Sequence, residues 1–156
     1  MSPQSDLNLC METTNLLEAK ATHIYPFSAE RVFNAWLEPK AVGSWMFGPA
    51  IREEEVVSID IDARVGGVFS FLVNRGNQVI DHIGTYKKIE RPNCLEFDWG
   101  VKGMADNSRV SVTIVPHEQG CKLDLVHYLQ PAWADYLQRS IDGWSQMLEA
   151  LEKSLK

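Results

Sequence analysis

The chain lacks the features that identify several large classes of protein. Its three cysteines, Cys10, Cys94 and Cys121, form an odd set without CxxC spacing, which argues against a disulfide framework and a structural zinc site. No stretch approaches the roughly 18 consecutive apolar residues of a membrane-spanning helix. The first residues lack the basic start and apolar run of a secretory signal. These absences predict reduced thiols, no membrane insertion and a cytoplasmic location.

An excess of positive charge is also missing. Lys plus Arg number 15 and Asp plus Glu number 21, so the net charge is -6, and nucleic acid is not expected as a partner. The serine-hydrolase, phosphate-binding and dinucleotide-binding motifs are absent, so no cofactor is predicted. The four histidines, His23, His82, His117 and His127, show neither HxxxH nor HExxH spacing, and no metal site is predicted.

What the chain does contain is a long amphipathic segment at its C-terminal end, from Pro131 to Lys156. Its apolar residues recur in alternating steps of four and three, which places them on one face of an α-helix. They are Trp133, Leu137, Ile141, Trp144, Leu148, Leu151 and Leu155. Such a helix needs a sheet to lie on, and a sheet that curves around a helix tends to leave space between them. The pattern therefore predicts a binding cavity at this helix.

The rest of the chain alternates with a period of two, after two short helices. Ser28 is a good N-cap for the first helix, and Pro39 opens the second, which runs to Trp45. Strands are predicted at 16–25, 54–61, 68–74, 79–89, 95–99, 110–114 and 123–129, with a flexible loop at 100–107. Hairpin-length turns imply antiparallel neighbours. The prediction is an α+β domain over 16–156, preceded by a flexible tail, 1–15, in which Met11 is an alternative start.

This order of elements resembles the helix-grip, START-like superfamily, also called SRPBCC. Within it, the chain is most similar to the family named for the C-terminal domain of activators of the heat-shock protein 90 ATPase. The residues that carry the resemblance are Pro26 to Trp36, Pro39, Trp45, Gly48-Pro49, Gly66-Gly67, Gly84-Thr85-Tyr86, Ile89, Pro92, Leu95 to Trp99 and Gly143-Trp144. Two departures occur, at Met46 and Val65, where family members often have Trp and Pro.

The resemblance implies a curved antiparallel sheet of about seven strands around the C-terminal helix, with a cavity between them. In the superfamily this cavity binds lipids, polyketides and other apolar molecules, and in some branches it hosts cyclase or hydrolase chemistry. Ten residues are candidates for lining it: Trp36, Trp45, Phe69, Phe71, Phe97, Trp99, His127, Tyr136, Ser140 and Trp144. Core packing is the alternative role for most of these rings. Gly143 bears on the choice between cavity lining and core packing, because a glycine within a helix lowers its stability by roughly 1 kcal/mol relative to alanine.

Three residues could act as acids or bases: His127, His82 and Tyr136. Alternation places His127 on the inward face, where a hydrogen-bonded core histidine is the more common role. His82 shares a strand face with Tyr86, opposite Ile83 and Ile89, and the pattern does not decide which face is inner.

Three functions follow from these observations. The leading hypothesis is a small binding protein that holds an apolar or aromatic molecule between sheet and helix, as a monomer or a homodimer. The second is an enzyme of cyclase or hydrolase type, which requires a perturbed histidine pKa and a polar partner beside it. The third is a chaperone-associated interaction module, which requires an exposed apolar patch. The heat-shock activators carry a further N-terminal domain, for which this chain has no room.

Overall fold

The computed structural model describes residues 16–48, 51–104 and 107–156, and the predicted tail at 1–15 lies outside them. Seven strands and four helical segments form in these ranges. The strands are β1 (Leu17–Tyr25), β2 (Glu55–Ile61), β3 (Val68–Arg75), β4 (Gln78–Glu90), β5 (Cys94–Val101), β6 (Ser108–His117) and β7 (Gly120–Leu129). The helical segments are α1 (Ala29–Asn34), α2 (Pro39–Trp45), a 3₁₀ helix (Pro131–Tyr136) and α3 (Leu137–Leu155).

The strands form one antiparallel sheet in the order β1-β7-β6-β5-β4-β3-β2. Short turns produce this order, because each strand from β2 to β7 pairs with the next one along the chain. Between β3 and β4 the turn is only two residues long: Arg75 pairs with Gln78, and Gly76 has the positive φ of 66° that such a turn favours. The α+β helix-grip architecture predicted from the sequence is confirmed.

The two short helices form where their end signals predict. Ser28 caps α1, and its side-chain oxygen accepts a hydrogen bond from the Arg31 amide at 3.2 Å. Pro39 occupies the first turn of α2, where its missing N–H costs nothing. The indole of Trp45 is completely buried and donates to the carbonyl oxygen of Ala35 at 2.9 Å. This bond holds the two helices together over the core.

A bulge in β4 decides which of its residues face the core. His82 and Tyr86 are buried and face inward, while Ile83 is only partly buried. The register with β5 then shifts between Tyr86 and Lys88, so that Ile89 pairs with Leu95 and packs against the core. One extra residue reverses the alternation of a strand. This is why His82 and Ile89 both contact the interior, although they are an odd number of positions apart.

The C-terminal helix differs from the predicted continuous helix in its first part. Residues Pro131–Tyr136 form a 3₁₀ helix in which Trp133 has non-helical angles, and the regular α-helix starts at Leu137. The apolar stripe holds at Trp144, Leu148 and Leu151, which are buried. It fails earlier, where Trp133 is 39% exposed and Ser140 is the buried residue. The 3₁₀ segment changes the helical phase, so the apolar residues before Leu137 do not lie on the same face as those of the regular helix.

Two contacts fix α3, one to the sheet and one to α1. The hydroxyl of Tyr25 in β1 is fully buried and donates to the carbonyl oxygen of Leu148 at 2.9 Å. At the helix end, Arg31 of α1 donates to the carbonyl oxygen of Leu155 at 2.7 Å. These contacts hold the C-terminal half of α3 close, while its N-terminal half borders open space.

None of the described helices is long and apolar enough to cross a membrane.

Candidate functional site

An open cleft of about 680 Å³ lies between the first turns of α3 and the facing strands. The strands supply His82, Trp99, Val101 and His127, and the helix supplies Ser140, Gly143, Trp144 and Met147. Phe47, Arg52 and Arg75 border it from the other side, and Tyr136, Arg139 and Met104 also line it. A smaller recess of about 290 Å³ adjoins the cleft, because both are lined by Trp99, Val101, Met104, His127 and Tyr136.

The ten residues proposed from the sequence fall into two groups. Five of them line the cleft: Trp99, His127, Tyr136, Ser140 and Trp144. The other five, Trp36, Trp45, Phe69, Phe71 and Phe97, are at most 3% exposed. Four of these five surround a void of only about 10 Å³, which is about the size of one water molecule. The second group is packed core. Trp144 is equally buried, at 3% exposed, but borders the cleft, whereas Trp99 is only partly buried there.

His127 stands at the centre of a hydrogen-bond network on the cleft wall. Its Nε2 lies 2.6 Å from the hydroxyl of Ser108, and its Nδ1 lies 3.0 Å from the hydroxyl of Ser140. The indole Nε1 of Trp144 also donates to Nδ1 at 3.0 Å. Ser108 in turn donates to the carbonyl oxygen of Trp99 at 3.1 Å. The network connects β5, β6, β7 and α3 at one point.

The partners of His127 assign its tautomer. An indole N–H can only donate, so Nδ1 must accept from Trp144. The neutral ring therefore carries its proton on Nε2, which donates to Ser108. Burial lowers the pKa of His127 to about 4, so the ring is neutral near neutral pH. In this arrangement His127 is not placed to take a proton from the Ser108 hydroxyl, as a nucleophile–base pair requires.

His82 has a different environment on the β4 side of the cleft. Its ring stacks on Trp99 with centroids 5.3 Å apart and tilts against Phe47 at 4.9 Å. Its Nδ1 lies 3.3 Å from the carbonyl oxygen of Phe71, which can only accept, so Nδ1 carries the proton. Burial lowers the pKa of His82, chiefly by desolvation. The neutral ring thus presents Nε2 as an acceptor.

Gly143 forms part of the cleft wall in the middle of α3. A Cβ atom built on Gly143 would meet no atom within 4 Å beyond its chain neighbours and the nearby backbone of its own helix. Gly84 in β4 contrasts with it, because a Cβ there would come within 2.5 Å of the Phe69 ring and 1.8 Å of the carbonyl oxygen of Asp98. Close packing therefore explains Gly84 and does not explain Gly143.

A buried carboxylate organises the charged side of the cleft. The side chain of Glu54 is fully buried and accepts from the backbone N–H of Gly48 at 2.9 Å and from Arg52 at 3.2 Å. Its other oxygen accepts from Nε and a terminal nitrogen of Arg75 at 3.0 and 2.7 Å. Both arginines line the cleft, as does Arg139 from α3. This charged set was not among the residues proposed from the sequence.

The sequence holds a signal for only one of these arginines. Arg139 precedes Gly143 by four residues, so helical periodicity places both on one face. Arg75 lies 21 residues from Glu54 in the sequence, and only the pairing of β2 with β3 brings them together.

Tyr136, a proposed acid–base residue, is 41% exposed and packs edge-on against Trp133, with ring centroids 6.1 Å apart. Among the described residues, no three potential metal ligands gather.

Comparison with known proteins adds a family and a set of similar folds. The family model described as activator of Hsp90 ATPase homolog 1-like protein matches residues 26–156. No match was found among curated proteins. A protein from Chromobacterium violaceum is 22% identical with a TM-score of 0.74, covering 87% of this chain and 95% of its own. The AHSA1-like protein from Aeromonas hydrophila is 19% identical with a TM-score of 0.71, covering 89% and 92%. A protein from Rhodobacter sphaeroides is 15% identical with a TM-score of 0.77, covering 88% and 91%.

Proposed function

We propose that this chain, which belongs to the activator of Hsp90 ATPase homolog 1-like family, is a small binding protein for an apolar or aromatic molecule. The ligand would occupy the cleft between the sheet and the first turns of α3. The cleft volume of about 680 Å³ lies within the roughly 300–1,000 Å³ typical of small-molecule sites. Its walls include Trp99, Phe47, Met147 and Trp144, whose rings and thioether suit a flat apolar body.

Gly143 is the observation that carries the proposal. Glycine in a helix interior is about 1 kcal/mol less favourable than alanine. Neither a tight contact nor a positive φ requires glycine at this position, because a Cβ would meet nothing within 4 Å. The missing side chain leaves room on the cleft side of α3. A ligand that lies against the helix backbone supplies a reason for this cost.

The acid–base alternative has weaker support. The lowered pKa of His127 and its polar neighbours are the features that an enzyme would need. However, Nδ1, the nitrogen that the Ser140 hydroxyl approaches, already accepts the indole N–H of Trp144, and Nε2 donates to Ser108. A group with a pKa near 4 is also a poor acid or base near neutral pH. The partner-binding alternative would use exposed apolar residues such as Val57, Val65, Val68 and Val79. The cytoplasmic location and the homodimer stay predictions of the sequence.

Binding can be tested with N-phenyl-1-naphthylamine, a neutral aromatic probe that fluoresces in apolar surroundings. We expect it to bind the purified chain in the cleft. Gly143→Phe would place a ring in the open space beside α3, and we expect it to weaken probe binding by at least about tenfold, because one blocked aromatic contact exceeds 1.4 kcal/mol. Ser145→Phe is the matched control, since it adds the same ring on an exposed position of the same helix.

The variant pair separates binding in the cleft from binding elsewhere. Equal probe affinity in the Gly143→Phe and Ser145→Phe proteins would show that the probe lies outside the cleft. No binding to the wild-type chain, together with no ligand found by native mass spectrometry and thermal-shift screening of lipids and aromatic metabolites, would refute the proposed function. Circular dichroism establishes that both variants are folded.

A further inference from the structure

The cleft carries charge of the opposite sign to the chain as a whole. The chain has a net charge of -6. The cleft nevertheless has three arginines in its lining, Arg52, Arg75 and Arg139, and Asp142 is the one acidic residue among the described residues that line it. Asp142 also accepts a hydrogen bond from Gln138 at 3.0 Å on the same helix. With the carboxylates of Glu54 and Asp142 counted, the three arginines still leave a net charge of +1 at this opening of an acidic protein.

Glu54 fixes part of this charge in place. One buried carboxylate is shared by the guanidinium groups of Arg52 and Arg75, so the three side chains together retain one positive charge. The Arg75 contact uses two nitrogens on one oxygen, and the backbone N–H of Gly48 also donates to the carboxylate. These bonds hold two flexible side chains in a fixed position before any ligand arrives.

Both guanidinium groups keep surface for a further contact. The side chains of Arg52 and Arg75 are 33% and 36% exposed. A guanidinium has five N–H donors; Arg75 uses Nε and a terminal nitrogen on Glu54, and Arg52 uses one terminal nitrogen. Arg139, from α3, lines the same cleft. Planar guanidinium groups suit carboxylate and sulfonate oxygens, which accept two parallel hydrogen bonds.

We infer that the ligand of the cleft is an amphiphilic anion, with an aromatic or apolar body and a carboxylate or similar acidic group. This inference rests on the proposed function and adds the chemical class of the ligand. The body lies against Trp99 and Trp144, and the acidic group meets Arg52, Arg75 and Arg139. Glu54 is the positioning residue, because it orients two of the arginines without reaching the ligand itself.

A pair of probes that share one ring system tests the charge directly. 8-Anilinonaphthalene-1-sulfonate carries a sulfonate, and N-phenyl-1-naphthylamine is the same skeleton without it. We expect the sulfonate to bind more tightly, and added salt to weaken its binding more than that of the neutral probe. Arg139→Gln should weaken sulfonate binding by about three- to tenfold, as expected for one lost charge-assisted contact at a partly exposed site, and should weaken binding of the neutral probe by less.

Arg64→Gln is the matched control, because Arg64 lies in an exposed turn beside Asp62 and does not line the cleft. Arg139 is itself exposed on α3, so its replacement is not expected to unfold the chain. Equal affinity for the two probes, or equal sulfonate affinity in Arg139→Gln and Arg64→Gln, would overturn the inference while the neutral probe still binds. Failure of both probes to bind would overturn the proposed function and this inference with it.

Discussion

Protonation of His127 should destabilise the folded chain, because the ring is buried and its Nδ1 already accepts a hydrogen bond. Its Nδ1 accepts the indole N–H of Trp144 at 3.0 Å, and its Nε2–H donates to Ser108. A proton on Nδ1 would place two donors against each other. The ring is also only 4% exposed, so its charged form would lose hydration. Acid should therefore destabilise the fold in part through this ring.

The size of the effect follows from the difference between the folded and unfolded pKa of His127. The pKa of His127 is about 4 in the folded chain, and that of an ordinary histidine is 6.5. The unfolded chain therefore binds more protons between these values, and the free energy of unfolding rises with pH across this window. The stabilisation is complete above about 6.5 and is lost as the pH falls toward 4. At about 1.4 kcal/mol per unit, the full loss is about 3 kcal/mol, of which about 2 kcal/mol falls between pH 7 and pH 5.

Urea denaturation followed by far-ultraviolet circular dichroism measures this loss. His127→Gln keeps an acceptor for Trp144 and a donor for Ser108 but does not titrate, so its stability should fall by about 2 kcal/mol less than that of the wild type between pH 7 and pH 5. His117→Gln is the matched control, because it removes an imidazole from a hairpin turn. Parallel loss of stability in both variants would refute the reasoning, as would a proton NMR titration that finds His127 with an ordinary pKa.

Two further predictions concern single contacts in the fold. Gly143→Ala should raise the free energy of unfolding by about 1 kcal/mol and the midpoint of thermal unfolding by about 2–4 °C. Gly84→Ala should lower both quantities, because its Cβ would clash with Phe69. Calorimetry that finds a change of the same sign for the two variants would contradict this prediction. Tyr25→Phe should lower the free energy of unfolding by about 1 kcal/mol in urea titrations, because it removes the buried hydrogen bond from the tyrosine hydroxyl to the carbonyl oxygen of Leu148. An unchanged midpoint would show that this bond does not help hold α3.

The sequence predicted the elements better than their ends. Periodicity located all seven strands, and the predicted 39–45 helix has the observed bounds. However, the predicted strand 95–99 extends to Val101, because Gly100 and Val101 still pair with Ile83 and His82 of β4. Backbone pairing continues wherever a neighbouring strand remains in register, whatever the side chains are. Alternation detects only the part of a strand whose side chains face the core.

The structure divides the residues that the sequence proposed for the site. Trp99, His127, Tyr136, Ser140 and Trp144 line the cleft, and binding of a ligand by them stays a prediction. The other aromatic residues, from the sheet and from the region of the two short helices, are buried in the core. Whether a ring packs or borders space depends on what fills the volume beside it. Sequence patterns indicate which way a side chain points, but not how much empty volume is left beside it.

The sequence by itself determined the fold class, since the period of two over the strands and the period of 3.6 over α3 each admit one local structure. It also determined that Gly143 lies within a helix. Only the tertiary structure decided the rest. A bulge in β4 turned both His82 and Ile89 inward, a 3₁₀ start shifted the phase of the C-terminal helix, and Arg75 came to share Glu54 with Arg52. These outcomes depend on contacts between residues distant in the chain, and local periodicity carries no information about such contacts.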